Sequence, residues 1–463
     1  MSSSVVPKVA VVGAGFAGSE AAWQLARRGI AVDLFEMRPT RMTEAHQSGN
    51  FAEPVCSNSF KSVRHENAHG LLKAELEVQG SVILEAAKVS SVPAGQALAV
   101  DRMIFSAEVT KRMEDCPGVN LIREEVVSIS PLLETYDRVI LATGPLTSEA
   151  LATSLGQLTG QDYLYFHDAI APVVEASSIN EEIAFRASRY GKGDDDYLNC
   201  PLNEAEYHAF IGAVRQAETV AFHQFESLRP FEGCLPIEVM VARGELTLAF
   251  GPMKPVGLPD PRTGKQPFAV VQLRQENKQA TLYGLVGFQT KMTWPEQRKI
   301  FRMIPGLEQA EFARMGSLHR NTFLNAPSLL SHDLALKTEP RLHFAGQITG
   351  VEGYMESTAM GMYVAKRVAS ALLQKDLPIP SSVTMTGGLV RYLMETPPAS
   401  FQPMNSAFGL VDSPTQGVRK KDRKAYYANR ALEEMRRLEQ VEWGSSSQVE
   451  NTIPEEVKDR LPE

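Results

Sequence analysis

At 463 residues, with 43% hydrophobic and 22% charged residues, the chain is a globular protein too long for one hydrophobic core, and a net charge of −8 argues against a wholly basic nucleic-acid binder. No apolar stretch is long enough to cross a bilayer, so no membrane partner is expected. The four cysteines, Cys56, Cys116, Cys200 and Cys234, form no Cys-x-x-Cys, which argues against a disulfide scaffold, a zinc site or a redox pair, and no metal is expected. The opening Met-Ser-Ser-Ser-Val-Val-Pro has no basic flank or apolar segment, so a cytoplasmic protein is expected.

The β-branched run 9–12 leads into Gly13-Ala14-Gly15-Phe-Ala-Gly18 and then a helical stretch, a strand–turn–helix cradle for a dinucleotide. Gly13 permits the tight turn, Gly15 lets backbone N–H groups approach a pyrophosphate, and Gly18 allows close helix–strand packing. The helix N-terminus favours the anion. A second strand over 31–36 ends in Glu36, placed to accept hydrogen bonds from a ribose. Apolar spacing predicts a helix over 67–87, and another helix starts at Asp101. Short strands are predicted at 119–122 and 126–129, and a buried strand runs from Tyr136 to the small-residue turn Thr143-Gly144.

The texture then changes. From 169 to 325 the chain is rich in Gly, Pro and aromatic residues, with strand-like runs at 246–250, 268–273 and 281–288, and reads as an inserted α+β domain. Arg341 onward returns to a strand ending in Gly346-Gln347, with Gly350 beyond and a helix over 356–373. A charged helix is predicted over 419–437, and the polar run from Ser445 is expected to fray. The expected organisation is an FAD-type domain in two parts, 1–168 and 326–440, around the insertion 169–325, with a polar tail at 441–463.

The first cradle, the strand ending in Thr143-Gly144 and the late turn at Gly346 resemble the three landmarks of glutathione-reductase-like FAD proteins. That resemblance implies an α/β fold with an FAD-binding Rossmann-type domain, and Gln347 stands where the common pattern has Asp. With no second complete glycine cradle, a nicotinamide reductant (NADH or NADPH) is expected to dock transiently.

Longer segments narrow the resemblance. Leu34-Phe-Glu-Met-Arg-Pro39, Phe51-Ala-Glu-Pro-Val-Cys-Ser-Asn-Ser59, Val92-Pro-Ala-Gly-Gln-Ala-Leu-Ala-Val-Asp101, Asp196-Tyr-Leu-Asn-Cys-Pro201, Phe250-Gly-Pro-Met-Lys-Pro-Val-Gly257, Ala269-Val-Val-Gln-Leu-Arg-Gln275, His319-Arg-Asn-Thr322 and Gly350-Val-Glu-Gly-Tyr-Met-Glu-Ser357 resemble the bacterial folate- and FAD-dependent tRNA (uracil-5-)-methyltransferases, the Gid-type family TrmFO. The resemblance implies transfer of a one-carbon unit from methylenetetrahydrofolate to C5 of a T-loop uridine, with reduced FAD supplying electrons. It also implies catalytic thiols at Cys234 and Cys56, with Cys234 as nucleophile and Cys56 assisting, although the two roles are interchangeable on the sequence. Cys116 and Cys200 read as structural.

Cations in the family-like segments, Lys254, Arg274, His319 and Arg320, are candidates for phosphate or folate-carboxylate contacts, and Glu352, Tyr354 and Glu356 for lining the flavin pocket. Basic clusters at Arg186/Arg189/Lys192, Arg298/Lys299/Arg302 and Arg419/Lys420/Lys421/Arg423/Lys424 are candidate RNA contacts, the last being the preferred one. The same chemistry on a ribosomal RNA uridine, a wobble-uridine-modifying flavoprotein, and a non-catalytic flavin-binding regulator are the alternatives the residues leave open.

Overall fold

Parallel strands buried on both faces read as unbroken apolar runs, and the first strand, Lys8–Val12, sits at the centre of such a sheet with Val9, Ala10 and Val11 fully buried. The computed structural model describes residues 7–160, 164–191, 194–220, 235–414 and 417–443. The central sheet has the order Ala335–Leu336, Glu339–Phe344, Arg138–Leu141, Lys8–Val12, Ala31–Phe35, Val119–Ile122. Its neighbours run parallel except for the first pair. The chain leaves Lys8–Val12 for Ala31–Phe35 on one side and later returns to Arg138–Leu141 on the other. That reversal opens a crevice at the C-terminal end of the first strand.

The helix Phe16–Ala26 follows the glycine turn and crosses the long helix Tyr354–Leu373. Contact is close because Gly361 has no side chain: a Cβ there would lie 2.1 Å from the Ala17 carbonyl oxygen.

Four elements differ from the sequence expectation. The stretch 67–87 forms two helices, Ala68–Val78 and Val82–Val89, broken where Gly80 takes φ +67° and Ser81 caps the second helix by accepting from the Leu84 N–H. No strand forms at 126–129. The run 246–250 is not a strand but the short helix Thr247–Phe250, whose Phe250 stays exposed, so its apolar alternation matched no sheet face. The helix expected from Arg419 begins at Arg423.

Between the two parts of the parallel sheet the chain builds a second, antiparallel sheet in the order Phe185–Arg186, Tyr197–Leu202, Ala269–Gln275, Leu282–Leu285, Val173–Glu175, Phe312–Arg314. It has its own core, in which Tyr207, Phe210, Phe288 and Phe301 are fully buried. The outgoing and returning chains pair as antiparallel strands, Leu164–Ile170 with Ser317–Phe323.

Two buried carboxyls cap helices inside the first core. Glu75 accepts from the Met385 and Thr386 N–H groups at the start of Met385–Glu395, and Glu20 accepts from the Ser81 hydroxyl and the Ile83 N–H. Burial outweighs these hydrogen bonds and pushes both carboxyls up to about 7. The native state therefore keeps protons that the unfolded chain releases near its ordinary value of 4.5. The stability they contribute is complete below that value and is lost as pH rises to about 7. Chemical denaturation is expected to show stability falling by roughly 3 kcal/mol per group over that interval. Glu75→Gln should remove its share of the slope, and an unchanged slope in that variant would refute the assignment.

Candidate active site

The glycine cradle is enforced by contact distances. A Cβ on Gly13, at φ +97°, would lie 2.6 Å from the Ala142 carbonyl oxygen, and one on Gly18 would lie 1.8 Å from the Gly13 carbonyl oxygen. A Cβ on Gly15 would meet nothing within 4 Å, so the space above it is open. Gly13, Gly15, Phe35, Glu36, Thr143, Gly144, Gly346 and Gln347 line a cavity of about 1020 Å³ at the crevice. Ala14, Gly18 and Gly350 do not line it. Ala14 gives its N–H to Glu36 (3.0 Å), Gly18 packs the helix on the turn, and Gly350, at φ +95°, faces the Phe401 ring.

The Glu36 carboxylate is also gripped by Arg38, whose Nε and Nη2 reach its two oxygens at 2.9 and 3.1 Å. That contact keeps the Glu36 carboxyl below its ordinary range although burial opposes it. A ribose hydroxyl at Glu36 therefore meets an Arg38–Glu36 pair rather than a bare carboxylate.

A second cavity of about 1470 Å³ adjoins the first, and the two share Val55, Pro145, Leu146, Gln347 and Tyr354 in their walls. Cys56 lines the second cavity at this junction. Tyr354 opens the long helix and stacks on Phe16 (4.5 Å between centroids). Its hydroxyl accepts from the Cys56 N–H (3.0 Å) and the Ser57 N–H (3.3 Å) and lies 3.2 Å from the Cys56 sulfur.

Three arginines brace the Cys56 loop. Arg102 donates to the Pro54 and Val55 carbonyls and pairs with Glu276 (2.8 Å), Arg314 donates to the Val55 carbonyl (3.1 Å), and Arg274 donates to the Asn58 and Ser57 side chains. Burial, aided by the neighbouring Arg102 charge, lowers Arg314 to about 10, so it remains a cation at neutral pH. Three guanidinium groups thus fix the backbone and side chains on either side of the thiol.

The second cavity is also lined by Lys61, His69, Glu352, Glu356 and Asn405. Lys61 takes φ +64°, a strained conformation for lysine, and its ammonium donates to Asn405 (2.9 Å). Glu356 accepts from the Ser406 N–H and hydroxyl and lies 3.2 Å from His69 Nδ1. Burial alone would raise its carboxyl, but the His69 hydrogen bond and the Lys61 charge hold it at about 2. Glu352 accepts from the Gln347 amide.

Of the residues singled out from sequence, the structure therefore brings Cys56, Arg274, Glu352, Tyr354 and Glu356 to one cavity and most of the glycine landmarks to the other. Cys234 and Lys192 lie outside the described residues, as do the side chains of His319 and Arg320, whose backbone belongs to the strand Ser317–Phe323. Lys254 is exposed and lines neither cavity, and Lys420 and Lys421 are exposed ahead of the last helix. Cys200 is fully buried and pushed up to about 12, and burial also raises Cys116, which makes both poor nucleophiles. Sequence reading missed Lys61, His69, Arg102 and Arg314. Arg102 and Lys61 lie just beyond family-like segments, but nothing local marks them, because their partners are 47 to 344 residues away.

A glycine cradle at the switch point of a parallel sheet, a second glycine turn facing it and an antiparallel unit inserted between them define a protein of the Rossmann-type FAD-domain class. The profile of the family described as glucose inhibited division protein A matches residues 8–376. The chain is 57% identical over 429 residues to the methylenetetrahydrofolate–tRNA-(uracil-5-)-methyltransferase TrmFO of Geotalea uraniireducens, covering 92% of this chain and 98% of that one. It is 55% identical over 428 residues to the enzyme of the same name from Geobacter sulfurreducens, again covering 92% and 98%. In fold it is similar to Aquifex aeolicus GidA, with a TM-score of 0.70 at 16% identity over 96% of this chain and 76% of that one. The chain belongs to the TrmFO family of the Gid-type proteins.

Among the described residues no helix is long and apolar enough to cross a membrane, and no group of three or more His, Cys, Asp or Glu could hold a metal ion.

Proposed function

We propose that this chain is a cytoplasmic methylenetetrahydrofolate-dependent tRNA (uracil-5-)-methyltransferase that forms 5-methyluridine in the T-loop, with FAD as its bound cofactor and NADH or NADPH as a transient reductant. The observation that carries the reading is the meeting of the two cavities at Cys56 and Tyr354, which gives a thiol a place between a dinucleotide crevice and a second chamber. Identity of 57% over 92% of the chain to a methyltransferase of that name supports the substrate class.

The residues present fit FAD. The open space at Gly15 suits a pyrophosphate against backbone N–H groups, the Glu36–Arg38 pair suits the ribose end, and Thr143, Gly144, Gly346 and Gln347 suit the remainder. Bound and reduced, FAD supplies the electron pair that turns a transferred methylene into a methyl group.

Uracil C5 is a poor nucleophile. Addition of the Cys234 thiolate to C6 makes C5 an enolate carbon able to attack the one-carbon unit. Loss of the C5 proton then eliminates tetrahydrofolate and leaves a methylene on C5, and the electron pair that reduces it to methyl expels the sulfur. Cys56 is the assisting thiol that receives this proton, on a loop held by Arg102 and Arg314. Arg274, Lys254, His319, Arg320, Lys420 and Lys421 serve as contacts to phosphate or to the folate carboxylates. The T-loop base must leave its stack to reach the thiols.

Transfer of labelled carbon from methylenetetrahydrofolate to an unmodified tRNA transcript, with reductant present, tests the reading. Incorporation is expected and should vanish when the T-loop uridine is replaced by cytidine. A yellow, folded protein that transfers nothing would refute it.

A further inference from the structure

We propose that the solvent face of the helix Trp294–Phe301 is an RNA-contacting surface, with an unpaired base stacked on Trp294 and the adjoining phosphates against Arg298, Lys299 and Arg302. This rests on the tRNA reading above and adds the place where nucleotides flanking the target are held.

The helix is amphipathic: Gln297, Ile300 and Phe301 are buried, while Trp294, Arg298, Lys299 and Arg302 point outward. Trp294 is 59% exposed, an uncommon position for the largest aromatic side chain, and no ring contact holds it among the described residues. Arg298, one helical turn on, has no hydrogen bond or ion pair among the described residues. Lys299 meets the single outward acid of the helix, Glu296, at 3.4 Å, and Arg302 donates to the Ala310 carbonyl with its charge still facing solvent. The result is a positive face with an aromatic plate on a chain whose net charge is −8. Stacking plates set among cations recognise single-stranded nucleic acid, since every base has a flat face and every nucleotide a phosphate.

The position of this face favours RNA over another partner. The segment that contains Cys234 enters and leaves beside it: the Val220 N–H donates to the Lys291 carbonyl (2.9 Å), Thr219 bridges Met292, and the Ile237 N–H donates to the Gln289 carbonyl (2.8 Å). Gln289 itself lines the second cavity. The five peptide steps from Gln289 to Trp294 span at most roughly 18 Å, a distance that a few nucleotides cover. A strand that delivers a uridine to the second cavity can therefore lay its neighbours on Trp294.

The test uses the FAD-loaded protein and unmodified tRNA, with binding measured over a series of salt concentrations. Trp294→Ala is expected to weaken binding by about tenfold or more with the salt slope unchanged, and Trp294→Phe, which keeps a stacking ring, to restore most of it. Arg298→Ala is expected to flatten the salt slope by about 0.7 to 0.9. Flavin reduction by the nicotinamide donor without RNA, and the thermal melting curve, should stay as in the parent protein.

Unchanged binding in both Trp294→Ala and Arg298→Glu, with methyl transfer intact, would overturn this inference and leave the methyltransferase reading standing. A parent protein that neither binds nor methylates tRNA would overturn both. A Trp294→Ala variant that loses self-association in sedimentation while keeping its tRNA affinity would assign the face to a second copy of the chain and likewise overturn the inference.

Discussion

Replacing Cys234 by serine is expected to lower methyl transfer to tRNA by roughly a thousandfold or more, while the purified protein remains yellow. A serine hydroxyl is almost never ionised near neutral pH, so addition to C6 loses its nucleophile and C5 is never activated. Cys234 lies outside the glycine cradle in sequence, and the described lining of the dinucleotide crevice draws only on residues 12–151 and 346–357. Cofactor retention should therefore separate cleanly from transfer. Labelled-methyl incorporation, read beside the flavin absorbance, checks both. Activity within tenfold of the parent enzyme would move the nucleophile to the other thiol, and Cys56→Ser would then carry the large loss.

Gly361→Ala is expected to destabilise the fold by about 3 kcal/mol and to release flavin with it. The added methyl would sit 2.1 Å from the Ala17 carbonyl oxygen and 2.8 Å from its carbon, both backbone atoms of the cradle helix, so no side-chain rotation relieves the clash. The two helices must separate, and the turn from Gly13 to Gly18 moves with one of them. Gly15→Ala is the matched control. Its methyl meets no protein atom within 4 Å and its backbone already has an ordinary φ of −78°, so folding should be unaffected while the space for a pyrophosphate is narrowed. Denaturant melts with and without added FAD should show Gly361→Ala losing stability in both, and Gly15→Ala losing only the stabilisation that FAD confers. Equal behaviour of the two variants would refute the assignment of Gly361 to packing and Gly15 to cofactor contact.

The parts of the fold that were legible in the chain are those set by local rules. The cradle could be read because a tight turn and two close backbone approaches admit only glycine, and Gly13 and Gly18 occupy positions where any Cβ collides with main chain. The helix beginning after Asp101 was legible because its carboxylate caps the Met103 and Ile104 N–H groups, a contact made within three residues. The misreadings also have local causes. Gly80 and Ser81 form a stop and a new cap inside what spacing alone presents as one amphipathic run. At 246–250 five residues of apolar content are too few to separate a strand from one turn of helix.

The candidate site divides along the same line. Cys56 and Tyr354 stand in recognisable segments, yet their 3.2 Å contact joins positions 298 residues apart, and the braces from Arg102, Arg274 and Arg314 come from three further elements. Residue order and side-chain chemistry thus sufficed for the dinucleotide cradle, for the change of texture at the insertion and for which thiols stand in family-like motifs. Folding alone decided that two cavities share a wall at one of those thiols, that Glu36 is gripped by Arg38, and that Glu356 is an anion beside His69 and Lys61. The reason is physical: hydrogen-bond closure within a turn depends on adjacent residues, whereas the charge state and reach of a buried group depend on whatever the tertiary packing places against it.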